Sequence, residues 1–529
     1  MTFPSPWPPT RRGIYHFVLT ASSDVLESGA LPDDEEFNTG KEIRWVAGAS
    51  DGVSRHHGGQ ENAAAATAIL AAVKSVVADP TQTAVGAMYR LLIDNATIGF
   101  IGSFIALLDE DNVGAMSEVA ELARWLATEA PDRGPVKFAL VLLGRCGDSH
   151  DEDIFATLGR HEEFTLFAAA AVEGTLPNPE RALWKLAQLV HGWGRIHIVE
   201  RLRATTDADI KRWILRQGYK NRVMNEYLAY RCATTGGLMS ELKVPDPDDE
   251  LLAGAGDIII ALLRGGPAPD MSAYADGANA VALYLGHLAR RPSKSLDEFL
   301  TVHAIKSDVA RQAAGTANTP GYPWPDVARR EIETVAIAIL GRHEWRNLAE
   351  AGLAADHLLT FRNAASVLEA LGIDPWEARF ERQRSRDSDE WYWLMKTDDR
   401  ARIQRVIDLA EQQLDLDTIA TGPANEVGLG PPFLQHMVLD WLLQELGRFP
   451  GMGWSVVAAA LRSPVTRNRH WALDVLSAWG PSSWPNEASA LLERVIAEEP
   501  NIEVRQRARN LVDGRPLDEG VIAQESIIH

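Results

Sequence analysis

The sequence predicts an all-α protein, an α-solenoid of stacked antiparallel helix pairs behind an irregular N-terminal cap. Three observations lead there. First, two stretches between residues 453 and 512 overlay at a fixed offset of 36 residues: Val456 falls on Leu492, Ala459 on Val495, Ala460 on Ile496, Pro464 on Pro500, Arg469 on Arg505, Ala472 on Ala508 and Val475 on Leu511. Self-similarity at a period of this size marks units that bury their apolar faces only by stacking on neighbours. Second, apolar residues recur at i, i+3 and i+4 along most of the chain. Third, these periodic segments are separated by short breaks rich in proline and glycine.

Within each copy of the repeat, the first helix carries its stripe on Val456, Ala459 and Ala460 or their counterparts. A proline then ends it, because Pro464 and Pro500 lack a backbone donor and push the preceding residue out of the helical region. The second helix reads Arg469-x-x-Ala472-x-x-Val475, then Arg505-x-x-Ala508-x-x-Leu511. The central alanine permits close helix approach, and the arginine can reach back to turn carbonyls or to an acid. A third instance, Arg362-x-x-Ala365-x-x-Leu368, lies 107 residues before Arg469, close to three periods.

In chain order, residues 1 to 60 form the cap, with an apolar run from Ile14 to Leu19 that suits a short strand or a first helical turn. Ile43, Val46, Ala47 and Val53 favour a helix from Ile43 to His57, weakened by Gly48 and Gly52 and ended at Gly58-Gly59. The first repeat block covers 61 to 243. Its alanine-rich opening helix, Glu61 to Val77, stops at Asp79-Pro80, and helices follow near 82 to 93, 96 to 109, 115 to 129, 135 to 145, 151 to 160 and 162 to 173. Pro179 opens the next pair, whose stripes are Leu183, Leu186, Ala187, Val190 and then Ile196, Val199, Leu202. Ile210, Trp213 and Ile214 begin a further hairpin that Val223, Tyr227 and Leu228 complete. The polar segment Val244 to Asp249, with two prolines, is the best linker, and the second block runs from 250 to 514. That block contains helices near 250 to 264 and 273 to 290, a loop from Gly315 to Pro325, a helix to about Leu340, a loop from Thr421 to Pro432, and the overlaid repeats. Residues 515 to 529 read as a frayed tail.

Val504, Arg505, Ala508 and Leu511 give this second helix the pattern of the HEAT repeat, which the unit resembles. The runs from Gly192 to Leu202, Asn221 to Tyr227 and Ser463 to Arg469 are similar to bacterial proteins labelled limonene hydroxylase. That resemblance implies an oxygenase cofactor, yet the sequence shows no haem-thiolate, flavin or iron-binding pattern.

Composition narrows the function. A net charge of −21 repels phosphate backbones and disfavours nucleic acid as a partner. The one basic cluster, Arg379, Arg382, Arg384 and Arg386, is answered by Glu381, Asp387, Asp389 and Glu390 and reads as a solvated, mixed-charge helix end. No apolar run is long enough for a membrane span, and Met1 to Thr10 has no basic-then-apolar pattern, so the expected location is cytoplasmic. Cys146 and Cys232 are too few and too far apart for a disulfide framework or a cysteine metal cluster, and read as two buried thiols.

No phosphate-cradling loop or nucleophile elbow is present, so no catalytic residue, metal ligand or cofactor is assigned, and an enzyme is the lesser reading. The sixteen tryptophans, Trp391 and Trp393 among them, read as packing residues. Two constellations stand out. Asp51, His56 and His57 suit an exposed or capping role, since adjacent histidines diverge by about 100° on a helix. His197 and Glu200, at i and i+3, share a helix face, a spacing that helical bundles use for metal ligands when facing helices add further groups. The candidate binding residues are Trp193, Arg195, His197, Glu200, Arg222, Asn225, Glu226 and Tyr230. The expected function is a scaffold that binds a protein or peptide on its concave face; the alternative is a metal-dependent hydrolase or oxygenase working around His197 and Glu200. Far-ultraviolet circular dichroism of the purified chain is expected to be dominated by helix, and a strand-dominated spectrum would contradict the fold class.

Overall fold

A computed structural model describes residues 1–41, 44–59, 61–110, 116–314, 324–386 and 389–519. The chain is 70% helix with no strand among the described residues, as an all-α protein requires. Glu426 and Val465 form an isolated bridge beside the turn at Pro464. Two compact units divide the chain, Met1–His343 and Glu344–His529.

In the first unit the expected helix 162 to 173 appears as Glu162–Thr175, and most helices fall within a few residues of their sequence-read bounds. Helix Arg133–Cys146 lies between Met116–Glu129 and Glu162–Thr175. From there each helix touches the second one along as well as a sequence neighbour: Glu162–Thr175 meets Trp193–Arg201, which meets Glu226–Gly236, then Asp249–Arg264, then Leu296–Ala314. The polar segment 244–249 lies inside this unit, and helix Glu226–Gly236 before it packs on helix Asp249–Arg264. Arg216 pairs with Asp248 at 2.5 Å, and the Tyr219 hydroxyl donates to Asp257 at 2.5 Å, tying the two sides together.

The N-terminal segment is more regular than its composition suggests. Ile14–Thr20 is a helix, not a strand, with Ile14 and Val18 buried, and it packs against Met116–Glu129 and Glu152–Leu158. Trp7 stacks on Trp125 and Phe3 packs tilted against it, with ring centroids 5.1 and 5.3 Å away. The helix expected from Ile43 starts only at Ala49; Ile43 itself lies outside the described residues, and Gly48 takes a left-handed φ of +75° that the helix cannot continue through.

In the second unit the overlaid repeat is realised as four helices, Trp454–Leu461, Thr466–Trp479, Ala488–Glu498 and Ile502–Val512. Every aligned apolar position is buried except Ile496, which is partly buried, and Ala472 and Ala508 are both fully enclosed. Arg469 does both things expected of it. Its guanidinium holds both carboxylate oxygens of Glu499 at 2.7 Å and donates to the carbonyls of Ser463 and Ala424, each also at 2.7 Å.

Two expectations change. Arg379 and Arg382 are not solvated: Arg379 is 1% exposed and pairs with Glu390 at 2.6 Å, while Arg382 donates to the Ala355 and Asp356 carbonyls. The intervening glutamate is consumed elsewhere, since Glu381 pairs with exposed Arg384. Cys146 is only half-buried, with its thiol donating to the Leu142 carbonyl, whereas Cys232 is buried as expected. The 315–323 part of the Gly315 to Pro325 loop, the tail beyond residue 519, Asp387 and the side chain of Arg386 lie outside the described residues.

Replacing Ala472 or Ala508 with leucine adds three carbons to a closed seam, and overpacking of this kind costs about 1 to 3 kcal/mol. Hydrogen exchange should show the loss first in the helices from Trp454 to Val512, with Met1–His343 protected as in the parent. Parent-like exchange throughout would mean that the alanines do not occupy the seam.

Candidate functional site: a histidine and glutamate cluster in the first unit

The site begins with how helix Ala49–His57 is held down. Asp51 in its first turn is buried, and the Lys137 ammonium from helix Arg133–Cys146 lies 2.6 Å from both Asp51 and Glu163. Burial by itself would raise the Glu163 carboxyl. Lys137, Arg133 and the Gly48 amide, which donates to Glu163 at 2.8 Å, outweigh that and push it down to about 2. At Asp51 burial, helped by the neighbouring Glu163 charge, outweighs Lys137 and Arg133 and moves the carboxyl upward instead. One ammonium thus serves two carboxylates unequally. Four residues after Gly48, Gly52 meets the Trp193 indole so closely that a Cβ there would lie 2.3 Å from a ring carbon. Helix Ala49–His57 is therefore seated flat on Trp193, and one turn later it delivers His56.

The opposing helix, Trp193–Arg201, is fixed at its start by a carboxylate. Glu162 accepts from the backbone N–H groups of His191, Gly192 and Gly194 at 2.7, 2.6 and 2.6 Å. A negative group at this end satisfies orphan amides and complements the helix dipole. Arg195 is buried and secures the preceding loop, donating to the carbonyls of Ala187, Val190 and Lys220 at 3.1, 2.8 and 3.0 Å. At the other end Arg201 donates to the His197 carbonyl at 2.8 Å and pairs with Glu173 at 2.9 Å. His197 and Glu200 are thus placed by a helix clamped at both ends.

The two sequence constellations meet here. His56, His197 and Glu200 each offer one donor atom, and these atoms all lie within 4.8 Å of one another. The imidazoles of His56 and His197 stack with centroids 5.8 Å apart and planes 13° from parallel, and Trp193 covers both. Tyr227 closes another side, 5.1 Å from the His56 ring centroid, with its hydroxyl 3.0 Å from His57 Nε2. His56 Nε2 lies 3.8 Å from a Glu200 oxygen. Burial lowers the affinity of both cluster imidazoles for a proton, most strongly at His197, so at neutral pH each keeps a free lone pair. His197 is 1% exposed, yet neither of its ring nitrogens has a hydrogen-bond partner among the described residues. A buried polar group left in this state costs about 1 to 3 kcal/mol, which a purely structural histidine would not need to incur. Neutral imidazoles beside a carboxylate can accept a proton or ligate a metal.

Of the eight residues singled out from sequence, the structure gathers Trp193, His197 and Glu200 into this cluster. Arg195 and Arg222 instead line a separate cavity of about 510 Å³ with His191, Trp213 and Lys220, and Arg222 pairs with Glu27 at 2.7 Å. Asn225 accepts from the Asn221 amide at 3.3 Å, and Glu226 faces Arg264 at 3.8 Å. Tyr230 is half-buried on helix Glu226–Gly236, and among the described residues no hydrogen bond or ion pair joins Asn225, Glu226 or Tyr230 to the imidazoles. The exposed or capping role expected of Asp51, His56 and His57 is corrected for two of them: Asp51 is buried under Lys137 and His56 is half-buried in the cluster, while His57 is exposed as expected and turns to Tyr227. That divergence is the one the helical angle between neighbours dictates. Glu162, Glu163, Lys137 and Tyr227 carried no sequence signal beyond helical patterning.

Lys137→Met would leave Asp51 and Glu163 buried without their ammonium, a change that costs about 3 to 5 kcal/mol. It should appear as a lowered unfolding transition of the first unit, with exchange protection lost earliest in helix Ala49–His57. The Glu163 contribution has a definite sign. Because its folded value is depressed, its stabilisation is complete above the usual 4.5 and is lost as pH falls toward about 2. Glu163→Gln should therefore give a shallower acid loss of stability across that window in denaturant titrations. Compared with models of known protein families, with curated proteins and with solved structures, the chain matches none.

Proposed function

We propose that the chain is a HEAT-like α-solenoid that binds a protein or peptide partner on the concave surface of its stacked helix pairs. The observation that supports this reading is the packing order, in which successive helices touch both a sequence neighbour and the next helix but one. It runs from Arg133–Cys146 through Leu296–Ala314 in the first unit, and in the second from Leu434–Leu446 through Thr466–Trp479 to Ile502–Val512. Arrays of this kind hold function in an extended surface built from equivalent helices. A net charge of −21 makes nucleic acid the poorer partner, no described helix is long and apolar enough to cross a membrane, and a cytoplasmic setting belongs to the same reading.

Catalysis at the polar site around His197 and Glu200 is the second reading, favoured by the arrival of His56 beside that pair.

A partner recovered with the tagged full chain from native extract, then repurified and mixed at equal concentration, provides the test. The expected result is a stoichiometric complex in which hydrogen-exchange protection recurs on equivalent helices of consecutive pairs. Protection restricted to one loop, or no complex between the purified components, would contradict a scaffold.

A further inference from the structure

We propose that His56, His197 and Glu200 bind a divalent first-row transition metal ion through two imidazole nitrogens and one carboxylate oxygen. This goes beyond partner binding and does not depend on it. Two separate observations carry the assignment. The three donor atoms lie within 4.8 Å of one another although they come from two helices far apart in sequence. Independently, His197 is buried to 1% exposure with neither ring nitrogen hydrogen-bonded among the described residues, and His56 Nε2 is likewise without a hydrogen-bond partner.

The donor set selects the ion. Magnesium and calcium take oxygen ligands, whereas two imidazoles with one carboxylate suit zinc or ferrous iron. Three protein ligands also leave at least one position open, the arrangement of sites that bind an exchangeable molecule. Metal–ligand bonds of about 2.0–2.2 Å bring donors nearer than 4.8 Å, so the cluster must tighten on binding. The parts able to move are the right ones: the side chains of His56 and Glu200 are 17% and 27% exposed at the rim, while His197 is enclosed. Trp193 and Tyr227 wall the rings, restricting them to small rotations.

The neighbouring charges permit a cation. Arg201 faces His197 but is paired to Glu173, and Arg55, the other arginine acting on both imidazoles, is on the exposed side of its helix. His57 is held by Tyr227 and is not a ligand.

The test uses the full chain, stripped with chelator and titrated with Co²⁺ as a spectroscopic probe, with Zn²⁺ as competitor and Mg²⁺ as control. One equivalent of Co²⁺ should bind with visible ligand-field absorption, yield to Zn²⁺ and ignore Mg²⁺. His56→Ala and Glu200→Gln should each weaken Co²⁺ binding more than tenfold with helical circular dichroism retained, and His57→Ala should bind as the parent does. Glu200→Gln is isosteric, so it reports ligation even if His56→Ala perturbs folding. Absence of stoichiometric Co²⁺ uptake by the parent, or uptake unchanged in Glu200→Gln, would overturn the proposal.

Discussion

Placing an ammonium out of water demands compensation, and in this protein the compensation organises the first unit. Lys137 is 6% exposed, and its charge is met by two carboxylates at 2.6 Å each, Asp51 and Glu163. Glu163 is also approached by Arg133, at 3.7 Å, which in turn holds Asp33 at 2.9 Å. The chain of charges therefore ties the N-terminal segment, helix Ala49–His57 and two central helices into one set of mutual obligations. Buried pairs of this kind add little net stability over well-packed apolar groups, but they penalise any arrangement that separates them. What they specify is register. Helix Ala49–His57 can be shifted or rotated only by stranding a charge, and His56 inherits that fixed position.

A second carboxylate does comparable work from the next residue along. Glu163 turns inward to Lys137, while Glu162 turns to the amides that open helix Trp193–Arg201. Adjacent side chains on one helix thus anchor the two elements that form the cluster. One helix holds both elements whose imidazoles stack at 5.8 Å. Close approach of the two elements then depends on Gly52, where even a methyl group would collide with the indole of Trp193.

Helical periodicity made most of the fold legible, because a stripe at i, i+3 and i+4 is a local property and survives in any packing. The repeat of 36 residues likewise points to Ala472 and Ala508 as seam positions, and both are enclosed. Two of the cluster's three members were legible together for the same reason, since His197 and Glu200 sit one helical turn apart. The part played by the third was not. Nothing local distinguishes His56 from an exposed histidine at a helix end; its meaning comes from Trp193, Tyr227 and Glu200, which tertiary packing alone brings to it. Arg379 and Arg382 escaped for a related reason. Their acidic neighbours in sequence suggested mutual neutralisation at a surface, but Glu390 folds back to Arg379 through a reversal at Asp389, the described non-glycine residue with a positive φ, and encloses the pair.

Arginine recurs wherever one layer of helices must be joined to another. Arg469 spans from its own turn to Glu499 on the following pair, Arg362 and Arg379 converge on Glu390, and Arg195 collects the carbonyls of Ala187, Val190, Gln217 and Lys220. A planar guanidinium with five donors can satisfy several acceptors at once, including the carbonyls left unpaired where helices end. Lysine could not replace it in these places, because a single ammonium offers neither the span nor the paired geometry. The location of Lys137 is informative by contrast: there the two acceptors converge on one point, and a point charge suffices. His197 departs from this pattern with both ring nitrogens unclaimed among the described residues, as His56 Nε2 and Trp184 Nε1 also are. What sets His197 apart is that both of its nitrogens are unclaimed in a nearly closed site, and the proposed metal site rests on that together with the nearness of His56 and Glu200.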